Sequence, residues 1–474
     1  MPNGPQLITY PDGLGGTISD IIDLMEGRLR GLFPSGVHVL PPFPSSGDRG
    51  FAPLRYDIID PRFGSASDLQ ELAAFGGLTL DVMVNHISAQ SMQFLDFRAH
   101  GRASAWSDLF ITAEKVFPNG PPSPEELAAT TLRRPGGPFH EITVGATGEV
   151  ETVWATFADK ETGRVEQIDL DLSSPVTRSL IEVWFRQLAS MGATTVRLDA
   201  VGYVTKRAGT SSFMVEPDIW DRMAGLARLA SKTGLEVLAE VHHLRKTHRA
   251  LTGKGYCSYD FVLPALVLHA LYTGRVGELG AHLAQSPRRQ VTTLDTHDGI
   301  PIMPDMSGVL EPGDLERIVD TCVSRDANIS RVFNPPPGSV NTHQINVTYR
   351  DAAGSDDAYL AARAIQLFAP GLPQIYYVGL LGGRNDHSGQ SPIADSRSIN
   401  RHNYSHGEIA LALETPVVRQ LLGLVRLRAE HPAFAGAVEF AYSEHALTAT
   451  WTNGAERAAL TVDFDDPSPR IDAT

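Results

Sequence analysis

"TTVRLDAVGY", residues 194–203, is a β-branched apolar run that ends on an arginine and an aspartate two positions apart. Alternation along a strand puts Arg197 and Asp199 on one face, opposite Val196 and Leu198. Charges at the end of a run this apolar are either paired or put to use. Seven similar runs flank it: residues 6–10, 36–40, 78–86, 235–241, 259–263, 291–298 and 372–379. Eight such runs, separated by helix-length patterns, predict an α/β fold with a parallel sheet covered on both faces. Eight is also the number of strands that closes a (β/α)8 TIM barrel.

Two connections are too long for plain βα loops, so loop insertions are expected after strands 3 and 7. Residues 87–170 hold proline- and glycine-rich stretches and the β-like "EVETVWATF", and residues 299–357 hold "FNPPPGSVNTHQINVTYR". Long insertions in a compact domain usually form lids or substrate sites. From residue 436 the pattern alternates around an Asn453–Gly454 turn, which predicts a small C-terminal β-domain over 436–474. The expected organisation is a barrel from 1–86, 171–298 and 358–435, an inserted domain at 87–170, a second inserted region at 299–357, and the terminal β-domain.

The net charge of −15 over 474 residues argues against a general nucleic-acid or anionic-membrane binder. Two cysteines, Cys257 and Cys322, offer no disulfide framework and suit a reducing compartment. The opening "MPNGPQLITYPDG" lacks the basic and apolar regions of a signal peptide, so a cytoplasmic protein is expected. No metal cluster and no nucleotide-binding glycine motif is evident, so no cofactor is expected.

Barrel enzymes present their chemistry at the C-terminal ends of strands. Here those ends collect His86, Asp199, Glu240, His297 and Asp298, with Asp48 beyond the second run. Any one of them could be a cap or an ion pair, but together they make a constellation of acids with basic helpers. Converging carboxylates are what glycosidic bond cleavage needs: one ionised to attack, one protonated for the leaving oxygen. Arg197 favours the ionised form of Asp199, and the apolar surroundings of Glu240 favour its protonated form.

The signatures "DVMVNH", "VRLDAVGY", "LAEVH" and "LDTHDG" resemble, in order and spacing, those of the α-amylase family, glycoside hydrolase family 13. The resemblance implies that Asp199 is the nucleophile, Glu240 the general acid/base and Asp298 the third acid, which stabilises the transition state. It also implies that Arg197 holds the nucleophile and that His86 and His297 bind glucosyl hydroxyls.

"QLITYPDGLGGT", "GDRGFAPLRYDIIDPRFGS" and "SINRHNYS" are similar to the sucrose phosphorylase subfamily. That likeness implies a clamp of Asp48 and Arg401 on the glucose ring, with Phe51, Phe157 and Tyr203 as pocket walls. Two loops depart from the plain subfamily pattern. In "TLRRPGGPF" (131–139) Arg133 replaces a proline beside the retained Arg134. In "VNTHQ" Asn341 replaces an acid and His343 a tyrosine, while Gln344 is kept.

A potential cation is gained at each loop and an anion lost, which suits a phosphorylated acceptor. The pattern resembles the sucrose 6'-phosphate phosphorylases: Arg133 and His343 would grip the fructosyl phosphate, and Arg134 would serve inorganic phosphate. The expected partners are small molecules, sucrose 6'-phosphate and inorganic phosphate. Alternatives are sucrose phosphorylase, a glucosylglycerate or glucosylglycerol phosphorylase, or, in another class, a non-catalytic carbohydrate-binding relative. The last would typically have lost one of the three acids.

Overall fold

In the computed structural model, which describes residues 4–134, 136–158, 164–331, 340–388 and 396–474, all eight runs form strands. They are β1 (Gln6–Thr9), β2 (Val37–Val39), β3 (Leu78–Met83), β4 (Thr195–Asp199), β5 (Glu236–Ala239), β6 (Cys257–Asp260), β7 (Gln290–Thr292) and β8 (Leu372–Tyr376). They close a barrel in the order β1–β8–β7–β6–β5–β4–β3–β2. The pairings β3/β4, β4/β5, β6/β7, β7/β8 and β8/β1 are parallel.

Several strands are shorter than their apolar runs, and in two of them this places candidate residues past the strand end. β7 ends at Thr292, so His297 and Asp298 lie in the turn that follows it, and Glu240 sits one residue beyond β5. The reason is local. The Thr293 hydroxyl donates to the Asp295 carbonyl at 2.7 Å, and the Asp298 N–H donates to Thr296 Oγ1 at 3.1 Å, so side chains turn the backbone out of the ladder.

The chain divides into two compact units: Met1–His38, Glu71–Gly77 and His242–Thr474 form one, and Val39–Gln70 and Leu78–Val241 the other. The division runs through the barrel strands, at a different level from the segments read from the sequence.

In the unit that carries β3 to β5, the register of β3 on β4 sets Asp81 opposite Arg197 and Met83 opposite Asp199. Helix Pro175–Ser190 covers this part of the barrel. It starts at the Ser174 cap with proline in its first turn and buries Ile181, Trp184, Phe185 and Leu188 at helical spacing. Within 87–170, Phe94, Phe97 and Phe110 pack together (Phe94–Phe110 centroids 5.1 Å apart), and Phe139–Thr143 pairs with Val150–Trp154.

In the other unit a ladder of buried amides ties β1 to β8. Gln374 Nε2 donates to Gln6 Oε1 at 2.7 Å, and Gln366 Nε2 donates to the Thr292 and Gln374 carbonyls at 3.1 and 2.8 Å. The amide nitrogens of both glutamines thus have the acceptors they need to leave water. Within 299–357, Gln344–Asn346 pairs antiparallel with Ile300–Pro301 and Asn328–Ser330, and residues 332–339 of this insertion lie outside the described residues.

The C-terminal segment is a four-stranded antiparallel sheet, β9 (Ala437–Tyr442), β10 (Ala446–Asn453), β11 (Glu456–Asp463) and β12 (Asp466–Ala473). Gly454, at φ +62°, makes the tight turn between β10 and β11, where a side chain would be strained. Trp451 Nε1 donates to the Phe368 carbonyl at 2.8 Å, anchoring the sheet on helix Asp356–Phe368. Among the described residues no helix is long and apolar enough to cross a membrane.

Candidate active site

The candidate residues fall into two clusters, one in each unit. The first is built on the ends of β3, β4 and β5. Arg197 is buried, and its Nη1 donates to Asp199 Oδ1 at 2.9 Å and to Asp81 Oδ1 at 2.5 Å. Asp81 comes from the neighbouring strand by the register already described. The sequence showed it in "DVMVNH", but only strand pairing reveals the contact. Charge-assisted bonds on both sides fix the guanidinium and hold the Asp199 carboxylate in one orientation.

Directly after Asp199 the chain turns through Ala200, whose φ of +52° lies in the left-handed region that costs a non-glycine residue energy. The turn aims the Ala200 N–H at Glu240, whose Oε2 accepts it at 2.8 Å, while the Glu240 N–H donates to the Leu198 carbonyl at 3.2 Å. The strain therefore locks the second carboxyl to the residue that follows the first. Asp48 is held in a second strained turn, at φ +48°.

His86 is buried, and its Nε2 donates to the Phe51 carbonyl at 3.0 Å while Asn85 Nδ2 faces its Nδ1 at 3.4 Å. These contacts select the Nε2–H tautomer, and burial pushes the imidazole pKa down, so His86 is a neutral hydrogen-bonding group. Phe157 lies between His86 and Tyr203, 5.4 Å from each, and Phe51 lies 5.9 Å from the Arg197 guanidinium.

The two loop arginines differ. Arg133 has its guanidinium 5.9 Å from the Phe157 centroid, which brings it to the aromatic wall. Arg134 donates through Nε to the Ala155 carbonyl at 3.0 Å and through Nη2 to the Phe139 carbonyl at 2.6 Å. Two of its donors therefore brace the inserted hairpin.

Behind these residues sits a cation that sequence reading missed. Lys206 is buried and its Nζ lies 2.7 Å from Asp169 Oδ2, 3.1 Å from Asn85 Oδ1 and 3.1 Å from Thr156 Oγ1, with a further bond to the Tyr203 carbonyl. Burial lowers its pKa, and Asp169 opposes that shift. The cage joins the residue before His86 to the turn after Asp199.

The second cluster lies beyond β7. Asp298 accepts from Arg397 Nη1 at 3.1 Å, faces Arg401 Nη2 at 3.7 Å and lies 3.3 Å from His297 Nε2. Arg401 Nε donates to the His297 carbonyl at 2.7 Å, its guanidinium lies 5.7 Å from the Tyr10 ring, and Asn346 Nδ2 donates to the Asp298 carbonyl at 2.7 Å. Arg397, four residues before Arg401 in "SINR", was not singled out in the sequence.

His343 is buried and Nδ1 donates to the Met303 carbonyl at 2.7 Å; its ring meets that of His242 edge to face at 5.7 Å. Gln344 is buried in the three-stranded sheet, paired with Pro301 and Ser330. Among the described residues no group of three or more His, Cys, Asp or Glu is placed to hold a metal ion.

The chain matches no protein-family profile. Among curated proteins it is 42% identical to the sucrose 6(F)-phosphate phosphorylase of Thermoanaerobacterium thermosaccharolyticum, over 100% of this chain and 97% of the relative. It is 41% identical to a sucrose phosphorylase of Agrobacterium vitis, over 100% and 98%. The crystal structure of sucrose 6F-phosphate phosphorylase from Thermoanaerobacter thermosaccharolyticum superposes with a TM-score of 0.96 at 42% identity, covering 100% of this chain and 96% of that one.

Proposed function

The chain belongs to the sucrose phosphorylase family, glycoside phosphorylases of glycoside hydrolase family 13, and we propose that it converts sucrose 6'-phosphate and inorganic phosphate to α-glucose 1-phosphate and fructose 6-phosphate. The reaction is a double displacement with retention. Glu240 donates its proton to the glycosidic oxygen while an Asp199 oxygen attacks the anomeric carbon. Fructose 6-phosphate leaves, and a β-glucosyl ester on Asp199 remains. A phosphate oxygen then attacks the same carbon from the other side, Glu240 takes back the proton from the phosphate, Asp199 departs as carboxylate, and the product is the α-phosphate.

Arg197 keeps Asp199 ionised and aimed. Asp298, His86 and His297 hold the glucosyl hydroxyls, and Asp298 stabilises the positive charge that develops on the ring. Asp48 and Arg401 clamp the ring's far side, with Phe51, Phe157 and Tyr203 as its walls.

The acceptor assignment rests on Arg133 and His343 as the grip on the fructosyl phosphate, with Gln344 next in the chain to His343. The observation that carries it is the edge-to-face contact of His343 with a second histidine, His242, at 5.7 Å, in a stretch, "VNTHQ", that itself holds no acid. The Arg134 bonds to two carbonyls favour a bracing part for that residue beside any contact with inorganic phosphate. The two cysteines, both free and buried, fit a reducing compartment and support a cytoplasmic location.

The test is release of glucose 1-phosphate from sucrose 6'-phosphate and, separately, from sucrose. A kcat/KM ratio of about 100-fold or more in favour of the phosphorylated sugar, some 2.7 kcal/mol, is expected. Equal or better use of sucrose overturns the acceptor assignment.

A further inference from the structure

The turn after Ile300–Pro301 carries a carboxylate that the mechanism above does not use. Asp305 is fully buried, 0% exposed, so its charge must be met inside the protein. It is met on Oδ2 by His242, while His248, whose Nε2 donates to the His243 carbonyl at 2.9 Å, approaches Oδ1. His242 Nδ1 lies 3.1 Å from Oδ2, and His248 Nε2 lies 3.4 Å from Oδ1. Burial would raise the Asp305 pKa, but the charge and hydrogen bonds of His242 and His248 hold it down at about 2.

His242 is fixed in other ways as well. Its ring stacks on Phe261 at 4.1 Å and 15°, and Phe261 in turn stacks on Tyr259 at 5.0 Å and 9°. Since Asp305 can only accept, Nδ1 of His242 carries a proton. Nε2 is then either a lone pair or, when the ring is charged, a second donor. A carboxylate on one nitrogen favours the charged ring and so favours that donor.

The same turn fixes the second histidine. Ile302 N–H and Met303 N–H donate to the His343 carbonyl at 2.9 and 3.3 Å, and His343 Nδ1 donates back to the Met303 carbonyl. Residues 302–305 thus hold His343 by the main chain and His242 by a side chain, with the two rings 5.7 Å apart.

Resting on the acceptor reading above, we infer that Asp305 is a positioning residue for the anionic acceptor: it holds His242 as a charged donor beside His343, and so sets the preference for a phosphorylated leaving group. Among the groups that face His242 are Asp305 from the turn, His343 from the second insertion and Phe261 after β6, with His248 behind Asp305. In the chain, Glu240 precedes it by two residues.

The experiment compares the whole enzyme with Asp305→Asn, which keeps the shape and removes the charge. For sucrose 6'-phosphate the variant should raise KM about ten-fold or more with kcat changed less than about three-fold. KM for sucrose should move by less than about three-fold. With its carboxylate gone, the variant should show the rise in KM for the phosphorylated sugar with increasing pH at a lower pH than the wild type.

If Asp305→Asn does not fold, His242→Gln, which leaves Asp305 paired with His248, must show the same substrate-selective loss. Equal falls in kcat on both sugars with unchanged KM and an unmoved pH profile would make Asp305 structural only and overturn the inference. The wild-type ratio between the two sugars tests the acceptor assignment itself, so the two failures are read from different comparisons.

Discussion

Around Asp199 one guanidinium serves two carboxylates, since Arg197 lies between Asp81 and Asp199. Around Asp298 the ratio is inverted, with Arg397 at 3.1 Å and Arg401 at 3.7 Å on one carboxylate. Both acids are held by arginine, yet in these contacts the balance of cation and anion differs. A carboxylate that shares its cation keeps electron density on oxygen, which is what a nucleophile needs. One that lies between two guanidiniums is fixed in place, and is suited to hydrogen bonding and charge stabilisation rather than attack. The charge balance thus separates two roles that residue type alone does not.

The most severe test of this contrast is Asp199→Ala. It should cost about 10⁴-fold or more in glucose 1-phosphate release, and substantial remaining activity would remove the nucleophile from the scheme. A third ratio, one cation to one anion, is found at Lys206 and Asp169. Lys206→Met leaves Asp169 buried without its cation and should lower stability by about 3–5 kcal/mol, read from the denaturant midpoint. A midpoint within error of wild type would mean that water or a neighbouring donor replaces the ammonium.

Asp81→Asn converts the first cluster toward one-to-one. Arg197 would then neutralise Asp199 more fully, and kcat for sucrose 6'-phosphate cleavage should fall about 100-fold without loss of fold. Unchanged kcat would break the comparison, because sharing would then have no consequence for attack. Arg397→Gln, which brings Asp298 closer to the same ratio, should have the smallest effect, about ten-fold in kcat, because Arg401 remains. A larger loss than in Asp81→Asn would reverse the order argued here.

The barrel was legible because each strand is a short apolar run with a polar terminus, and a pattern of period two survives any tertiary context. Asp199, Glu240 and Asp298 were legible as candidates because they end or follow those runs within short signatures. What the sequence hid is what depends on register and return of the chain. Asp81 meets Arg197 across 116 positions and Arg397 meets Asp298 across 99. Lys206 reaches Asn85 across 121. Each looks alone like a solvated or structural charge, and only strand pairing gives it a partner. The apolar run at 291–298 also misled in one respect, since the side chains of Thr293 and Thr296 turn the chain before the functional residues.

The oxygen cage that links Asn85, Thr156, Asp169 and the Tyr203 carbonyl has a consequence for how this fold responds to its surroundings. Its counter-ion is covalently attached, and so its occupancy follows no binding isotherm. A site filled from solution gains stability with the logarithm of ion concentration and can be stripped by a chelator or by dilution. Lys206 is present at one equivalent per chain from the moment of synthesis, and only unfolding or neutralisation of the amine can vacate the cage. The junction that carries His86 and the turn after Asp199 is therefore insulated from the ionic composition of the medium.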